Sequence, residues 1–508
     1  MFRLPREINL LAEKLVRRFP GAEVFLVGGG VRDLLLAKMS KDFDLLVRGV
    51  PARKLEAFLK TQGKTNLVGK SFGVFKLKVQ SPESRVQNKN SKLRPSGLRT
   101  LDSGLIDIAL PRTEHALLGT GAYRDFAVQS DYRLPLAVDL SRRDFTVNAL
   151  AYNILTKKIS DPFGGLKDLD QKIIRAVGQP EARLKEDYSR LLRAIRFAVQ
   201  LDFQIEKKTW AAVRKLAKNI NRKAGGEFVV PRETIAKELL KAFYANPVRA
   251  LELLDQSGLL KELLPELLKM KKCPQPKNWH SEGDVWQHTV LCLQNLFSRQ
   301  YQKKFPEKPS INLILATLFH DSGKPYTIQT PKKDHTDRIR FNDHDNFGAQ
   351  LARKAGERLK LSAYKDSAID CDPEQVSWLI AKHMLVVHGR VGEMKNTTLE
   401  KYFFSDRPGA DLLRLIFVDT LATVPGKGEK YTPHYPALEK RVKQLARLGS
   451  IKKPALPAPI LDGREIMKLC KIKPGPEVGR IILKLREEQL KGRIRTKAAA
   501  KKFIRIKN

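Results

Sequence analysis

The sequence predicts an α+β protein: a mixed α/β head over residues 1–150, followed by helical domains. Three observations carry this. An apolar run, Val24 to Val27, leads through Gly28-Gly29-Gly30 into a helical segment, Val31 to Ala37, and then into a second apolar run, Phe43 to Val47. Beyond about residue 165, apolar residues recur almost wholly at helical spacing. Polar or proline-bearing breaks near Lys271-Lys272-Cys273-Pro274-Gln275-Pro276 and at Pro425-Gly426-Lys427-Gly428 divide that helical part.

The elements follow in order. Glu7 to Phe19 has the spacing of an amphipathic helix and leads straight into the first strand, so it reads as structural and not as a cleaved targeting segment. Strands are expected at Val24–Val27, Phe43–Val47, Val74–Val79 and Leu105–Leu110. Between the last two, about 82–104, the composition turns to Ser, Asn, Lys, Arg and Gly, which reads as an exposed insertion. Helices are expected at Tyr188–Gln200, Lys208–Ala217, Glu233–Ala242 and Pro247–Leu254. The resulting organisation is a head over 1–150, a helical neck and body over 151–270, a second helical domain over 271–425, and a linker with a basic C-terminal region over 426–508. Residues 491–508 hold eight basic residues and no acidic one; a solvated tail and an RNA-contacting tail fit this equally.

Chemistry is concentrated at the glycine turn. Glycine lets backbone approach a bound group, and amides at a helix start favour phosphate. Asp42 and Asp44 stand two apart on the second strand, so both carboxylates leave one face. Two hard oxygen ligands beside a phosphate cradle suit Mg²⁺ on a nucleoside triphosphate, and the combination favours nucleotidyl transfer over a plain turn with a solvated acidic pair.

These residues resemble a known family. Gly-Gly-x-Val-Arg-Asp followed by Asp-x-Asp is similar to the head of class II tRNA nucleotidyltransferases (CCA-adding enzymes) and bacterial poly(A) polymerases. The resemblance continues through Arg142-Arg143-Asp144-Phe145-Thr146-Val147-Asn148, Asp161-Pro162-Phe163-Gly164-Gly165 and Glu186-Asp187-Tyr188-Ser189-Arg190. It implies a DNA polymerase beta-like nucleotidyltransferase head, an all-helical neck and body, tRNA as partner, and CTP and ATP as substrates. By this resemblance Asp42, Asp44 and Asp107 are the catalytic carboxylates, with Arg112 and Glu114 following as in the family. Gly28, Gly29, Arg32, Arg142, Arg143, Asp144 and Asn148 bind nucleotide, and the loop Asp161–Gly165 resembles the flexible loop needed for A addition.

Base selection falls to the helix expected from Glu186. There Asp187 and Arg190, three apart, would share one face. Asp187 can accept from an exocyclic amine and Arg190 can donate to a ring nitrogen, a pattern that cytosine and adenine match and uracil and guanine do not. Each mismatch leaves buried polar groups unpaired, at ~1–3 kcal/mol. Arg193 and Arg196 continue the helix towards the triphosphate.

Further on, His288, the adjacent pair His320-Asp321, and Asp419 occur in an order resembling the HD phosphohydrolase superfamily, and His344 and His383 fall between. A helical HD domain is thereby implied, with a divalent transition metal on imidazole and carboxylate ligands.

Composition sets the bounds. The 508 residues carry 95 basic and 55 acidic groups, a net charge of +40, which calls for a polyanionic partner and strong salt dependence. Four scattered cysteines fit no disulfide framework or zinc knuckle, and no apolar run reaches membrane-spanning length, so the chain reads as cytoplasmic with no membrane partner. Two alternatives remain: a poly(A) polymerase, which the segment Gly69-Lys70-Ser71-Phe72 disfavours because such relatives carry a basic pair there, or an RNA-binding HD phosphohydrolase with an inactive head. The oligomeric state, and full CCA against partial addition, are not readable.

Overall fold

The computed structural model describes residues 4–38, 43–68, 74–79, 105–116, 126–386, 391–404, 408–428, 434–448 and 456–507. Asp42, Gly69–Phe72 and the expected insertion 82–104 lie outside them. Two compact units form, Met1–Leu263 and Leu264–Asn508.

In the first unit the described strands include β1 (Glu23–Val27), β2 (Asp44–Arg48), β3 (Gly63–Val68), β4 (Val74–Val79), β5 (Leu105–Ala109), β6 (Arg112–Ala116), β7 (Phe126–Ser130), β8 (Ala151–Asn153) and β9 (Ile159–Ser160), with four two-residue strands beyond them. Seven of them build one mixed sheet in the order β3-β4-β5-β2-β1-β8-β9, while β6 and β7 pair as a separate antiparallel hairpin. Strand β1 is central, antiparallel to β2 and β8, and buried from Val24 onward; this is why it reads as a continuous apolar run without alternation. Strand β2 pairs with β5 in parallel, and Asp44 stands opposite Asp107. Helix α1 (Arg6–Arg18) buries Ile8, Leu11, Ala12 and Leu15, the helical stripe expected from its sequence.

The helix after the turn, α2 (Gly29–Leu35), starts two residues earlier than the sequence suggests. Gly28 precedes it at φ +70°, a backbone conformation that calls for glycine, and the Arg143 guanidinium packs against it. The Gly28 N–H donates to Leu150 O (3.1 Å), pinning the turn to the segment that follows the Arg142–Asn148 motif. Phe25, Val27, Leu46, Leu140, Ala149, Ala151 and Val177 form the core beneath both.

Helices complete this unit: Ser189–Leu201, Lys207–Leu216, Arg232–Ala245 and Pro247–Ser257, each within a few residues of the periodic segment expected for it. Their ends have local causes. Glu206 accepts from Thr209 N, Asn246 accepts from Arg249 N, and Gly258 closes its helix at φ +82°.

The second unit is helical. Ile311–Phe319 is buried at all nine positions and forms its centre. The C-terminal region departs from expectation. Residues near the end are neither linker nor tail: Gly463–Cys470, Pro476–Leu490 and Lys497–Lys507 are helices sharing a core of Leu461, Ile466, Val478, Leu485, Ile494, Ala500 and Ile504. The basic residues hide an apolar stripe: Ile494, Ala500 and Ile504 point inward while Lys497, Lys501, Lys502 and Arg505 stay exposed. Within the unit, Arg486 is buried and pairs with Glu400 through both carboxylate oxygens (Nε to each at 3.0 Å). No helix among the described residues is long and apolar enough to cross a membrane.

Candidate functional sites in the two units

A cavity of ≈630 Å³ in the second unit and one of ≈970 Å³ in the first gather most of the residues singled out above.

The first-unit cavity lies where the ends of β2 and β5 meet α2 and the Ser189–Leu201 helix. Asp44 and Asp107 both line it. Neighbouring parallel strands lie ~4.8 Å apart, which brings the two in-register carboxylates close together, and the Arg143 guanidinium interacts electrostatically with Asp44. Lys76, opposite Asp107 on β4, reaches it only at 3.8 Å from a half-exposed position, so that pairing is weak. The donor set is all hard oxygen, and it fits Mg²⁺.

Behind the carboxylates runs a relay of buried polar groups. Arg32 donates through Nη1 to Asn148 Oδ1 (2.6 Å), Asn148 Nδ2 donates to Asp144 Oδ1 (3.0 Å), and Arg193 donates to Asp144 Oδ2 through Nε (2.8 Å) and Nη2 (2.5 Å). Burial alone would raise the Asp144 carboxyl, but the Arg193 guanidinium and the Asn148 amide outweigh it and hold Asp144 far below the usual carboxylate range. Arg196 pairs with Glu238, and Arg142 and Arg143 pair with Asp139 (2.8 and 3.6 Å). The Phe197 ring sits among Arg32, Arg193 and Arg196, with guanidinium carbons 5.1, 5.4 and 3.9 Å from its centroid. Arginines are thus held rigid by carboxylates and one ring, an arrangement suited to a polyphosphate.

One expectation changes here. Asp187 is not on the selectivity helix. That helix starts at Ser189, and Asp187 precedes it in extended backbone, its Oδ1 accepting from Ser189 N (2.8 Å). An aspartate two residues before a helical run competes with the backbone and caps it. Arg190 donates to Glu186 Oε2 (2.6 Å), Arg183 O (2.7 Å) and Arg142 O (3.2 Å). Both residues still line the cavity, so they meet there through the fold and not through helical register. Asp161–Gly165 forms a turn into the Gly165–Asp170 helix, in which Asp161 accepts from Gly165 N (2.7 Å) and Leu166 N (2.9 Å).

Glu238, Asp139 and Phe197 were not anticipated. Asp139 was legible, being three and four residues before Arg142 and Arg143. Nothing local in the sequence ties Glu238 to Arg196.

The second-unit cluster brings together all six residues expected there. Asp284 and Gln287 form a capping box that starts the Val285–Asn295 helix and sets His288 inward. His320 and Asp321 follow the buried Ile311–Phe319 helix, His344 opens His344–Arg358, His383 ends Pro373–Lys382, and Asp419 projects from Gly409–Ala422. His288 Nε2 lies 3.0 Å from Asp419 Oδ1; Asp321 lies 3.3 Å from His320 Nε2, 3.5 Å from His344 Nε2 and 3.9 Å from His383 Nε2. His320, His344 and His383 place Nδ1 on the carbonyls of Thr317, Phe341 and Ile380 at 2.8, 2.8 and 2.6 Å, which turns each Nε2 inward. The Nε2 atoms of His320 and His344 are buried without a hydrogen-bond partner, the state expected of metal ligands. Burial together with the neighbouring His344 and His320 pushes His383 down to about 4, which keeps it neutral. Burial lowers His320 too, but Asp321 outweighs it and carries it up to about 10, a proton that a divalent ion displaces on binding.

Unanticipated here are Glu282, Lys324 and Cys292. Glu282 Oε1 bridges His280 Nδ1 and His288 Nδ1 (2.7 Å each), and its carboxyl is held down to about 2 because those imidazole hydrogen bonds outweigh burial. Lys324 Nζ lies 2.7 Å from Asp321 Oδ2, and Cys292 Sγ 3.5 Å from His288 Nε2. The adjoining cavity is cationic, with Lys324, Arg338 and Arg340 in its wall.

Three family models match the chain. The model described as poly A polymerase head domain covers residues 24–175, that described as "Probable RNA and SrmB- binding site of polymerase A" covers 202–271, and that of the HD domain covers 285–412. The chain is 33% identical over 385 residues to the A-adding tRNA nucleotidyltransferase of Deinococcus radiodurans, spanning 74% of this chain and 81% of the relative. It is 32% identical over 378 residues to the multifunctional CCA protein of Neisseria meningitidis serogroup A, spanning 74% and 76%. Among solved structures, its fold resembles the Bacillus stearothermophilus CCA-adding enzyme in complex with CTP (TM-score 0.60, 19% identity, 99% of this chain and 97% of that one). It also resembles the Thermotoga maritima CCA-adding enzyme complexed with tRNA (TM-score 0.56, 18% identity, 99% and 96%).

Proposed function

Because this chain belongs to the tRNA nucleotidyltransferase family, we propose that its head cavity adds C and A to tRNA 3′ ends from CTP and ATP, without a nucleic-acid template. The observation that carries the proposal is the in-register pair Asp44 and Asp107, facing a cavity walled by restrained arginines. Asp42, Asp44 and Asp107 would hold Mg²⁺, which would supply activation of the attacking 3′-hydroxyl and neutralisation of triphosphate charge. Arg32, Arg142, Arg143, Arg193 and Arg196 bind and orient the triphosphate; since their carboxylate partners hold them in place, little reorganisation is needed at the moment of reaction. The backbone of Gly28 and Gly29 allows close approach, Asp144 and Asn148 position the ribose side, and Asp187 with Arg190 reads the base edge. The net charge of +40 supports tRNA as partner.

Purified protein, tRNAs ending before CCA, CA or A, and single nucleotides test this. Stepwise extension that stops after the last A is expected. Unlimited A addition to any RNA would favour the poly(A) polymerase reading instead, and no incorporation would leave an RNA-binding protein with an inert head.

A second reading applies to the HD unit: metal-dependent hydrolysis of a phosphoester. The Nε2 atoms of His320 and His344, buried without a hydrogen bond around Asp321 and beside a cavity whose wall includes Lys324, Arg338 and Arg340, favour it. His288, His320, Asp321, His344, His383 and Asp419 would hold the metal, which would polarise the phosphoester, while Lys324, Arg338 and Arg340 would orient it.

A further inference from the structure

The donor atoms around the HD pair form adjoining groups, with Asp321 Oδ2 3.3 Å from His320 Nε2 and 3.9 Å from His288 Nε2. His288, Cys292, His320 and Asp419 form one, with donor atoms all within 4.8 Å of one another; Asp321, His344 and His383 form another by the same measure. The first contains a sulfur. Cys292 lies four residues after His288 on the Val285–Asn295 helix, so both side chains share the inward face, and both are 0% exposed. A tetrahedral ion bonded to sulfur at ~2.3 Å and to imidazole nitrogen at ~2.1 Å separates the two donors by about 3.6 Å. Cys292 Sγ and His288 Nε2 are 3.5 Å apart. His320 Nε2 is buried and makes no hydrogen bond, its nearest carboxylate oxygen being Asp321 Oδ2 at 3.3 Å, and its Nδ1 is committed to the Thr317 carbonyl.

Burial alone does not explain this placement. Cys273 and Cys371 are buried as well, yet among the described residues neither falls in such a donor set.

We propose that Cys292 is a sulfur ligand of the ion held by His288, His320 and Asp419, so that this half of the HD centre takes a thiophilic divalent ion of the zinc type. The half built on Asp321, His344 and His383 offers only nitrogen and oxygen and accepts harder ions such as manganese. The inference rests on the HD metal-centre reading above. On binding, the Cys292 S–H bond breaks, its proton leaves to solvent, and the sulfur lone pair forms the bond to the metal with no change of oxidation state.

Cobalt(II) titration of the full chain tests the assignment by spectroscopy. Wild-type protein should develop a sulfur-to-cobalt charge-transfer band in the near ultraviolet, Cys292→Ser should lose it, and Cys273→Ser should keep it. Zinc affinity of Cys292→Ser should fall roughly 10–100-fold, the range seen when a metal site loses one supporting group. Cobalt bound by wild-type protein without the band overturns the sulfur ligand alone. Absence of any bound cobalt, measured by elemental analysis, overturns the metal-centre reading and this inference with it. A band that persists in Cys292→Ser assigns the sulfur elsewhere and refutes the proposal. Should Cys292→Ser fail to fold, X-ray absorption on zinc-loaded wild-type protein decides: a sulfur scatterer near ~2.3 Å supports the ligand, and a shell of nitrogen and oxygen only removes it.

Discussion

Asp44 and Asp107 are cross-strand partners, in register on the parallel pair β2–β5, although two further strands separate them along the chain. Parallel register sends paired side chains to the same face, and both line the head cavity. Two carboxylates on one face of neighbouring strands offer hard oxygen ligands from both sides to a divalent cation.

Substituting Asp44→Ala or Asp42→Ala should abolish nucleotide addition while tRNA binding survives, and Asp107→Asn should lower turnover at least tenfold. Activity within about tenfold of wild type in Asp44→Ala, a barrier change of only ~1.4 kcal/mol, would remove it from the metal site.

Asp144 makes the head's stability depend on pH. Its folded carboxyl lies far below the value of ~3.9 expected in the unfolded chain, so its contribution is fully present above that value and is lost as pH falls through it towards the folded one. Asp144→Asn should therefore unfold at lower urea than wild type at neutral pH, with the difference shrinking steadily below about pH 4. A gap that is constant from neutral to acid pH would show that the Arg193 pairing is not its source.

The C-terminal helix separates charge from packing. Lys501→Glu with Lys502→Glu alters exposed positions, so tRNA affinity should fall and log K against log salt should become shallower by ~0.9 for each phosphate no longer neutralised. Ile504→Ala, in the core, should instead lower thermal stability by ~2–5 kcal/mol with the salt slope retained. An unaltered slope in the charge variant would make this helix a bystander in RNA binding.

His320→Ala combined with Asp321→Ala should eliminate metal-dependent phosphoester hydrolysis, tested on the 2′,3′-cyclic phosphates that the family resemblance suggests. Nucleotide addition should remain nearly intact because the head carboxylates and arginines are untouched. Chelation should stop hydrolysis, and restoration should follow a transition ion better than Mg²⁺. Loss of nucleotide addition in a folded double variant would give the HD unit a part in holding tRNA.

Much of the architecture lay open in the sequence because its causes are local. The apolar run of β1, the glycine at positive φ and the helix after it are set by side-chain burial and backbone sterics within a dozen residues, and the periodic helices of 189–257 follow from one apolar stripe each. The order His288, His320-Asp321, His344, His383, Asp419 was likewise readable, and the fold brings all six together. Only the tertiary structure decided what depends on distant partners. Asp187 left the helix because capping Ser189 N is the better use of its carboxylate. The basic C-terminus became three packed helices because Ile494, Ala500 and Ile504 found a shared core. Glu238 neutralises Arg196 from another helix, and Cys292 matters only because His320 and Asp419 arrive beside it. Periodicity states which face of a segment is buried; what it is buried against is chosen by packing among segments far apart in the chain, and there the arginine restraints and the sulfur donor are determined.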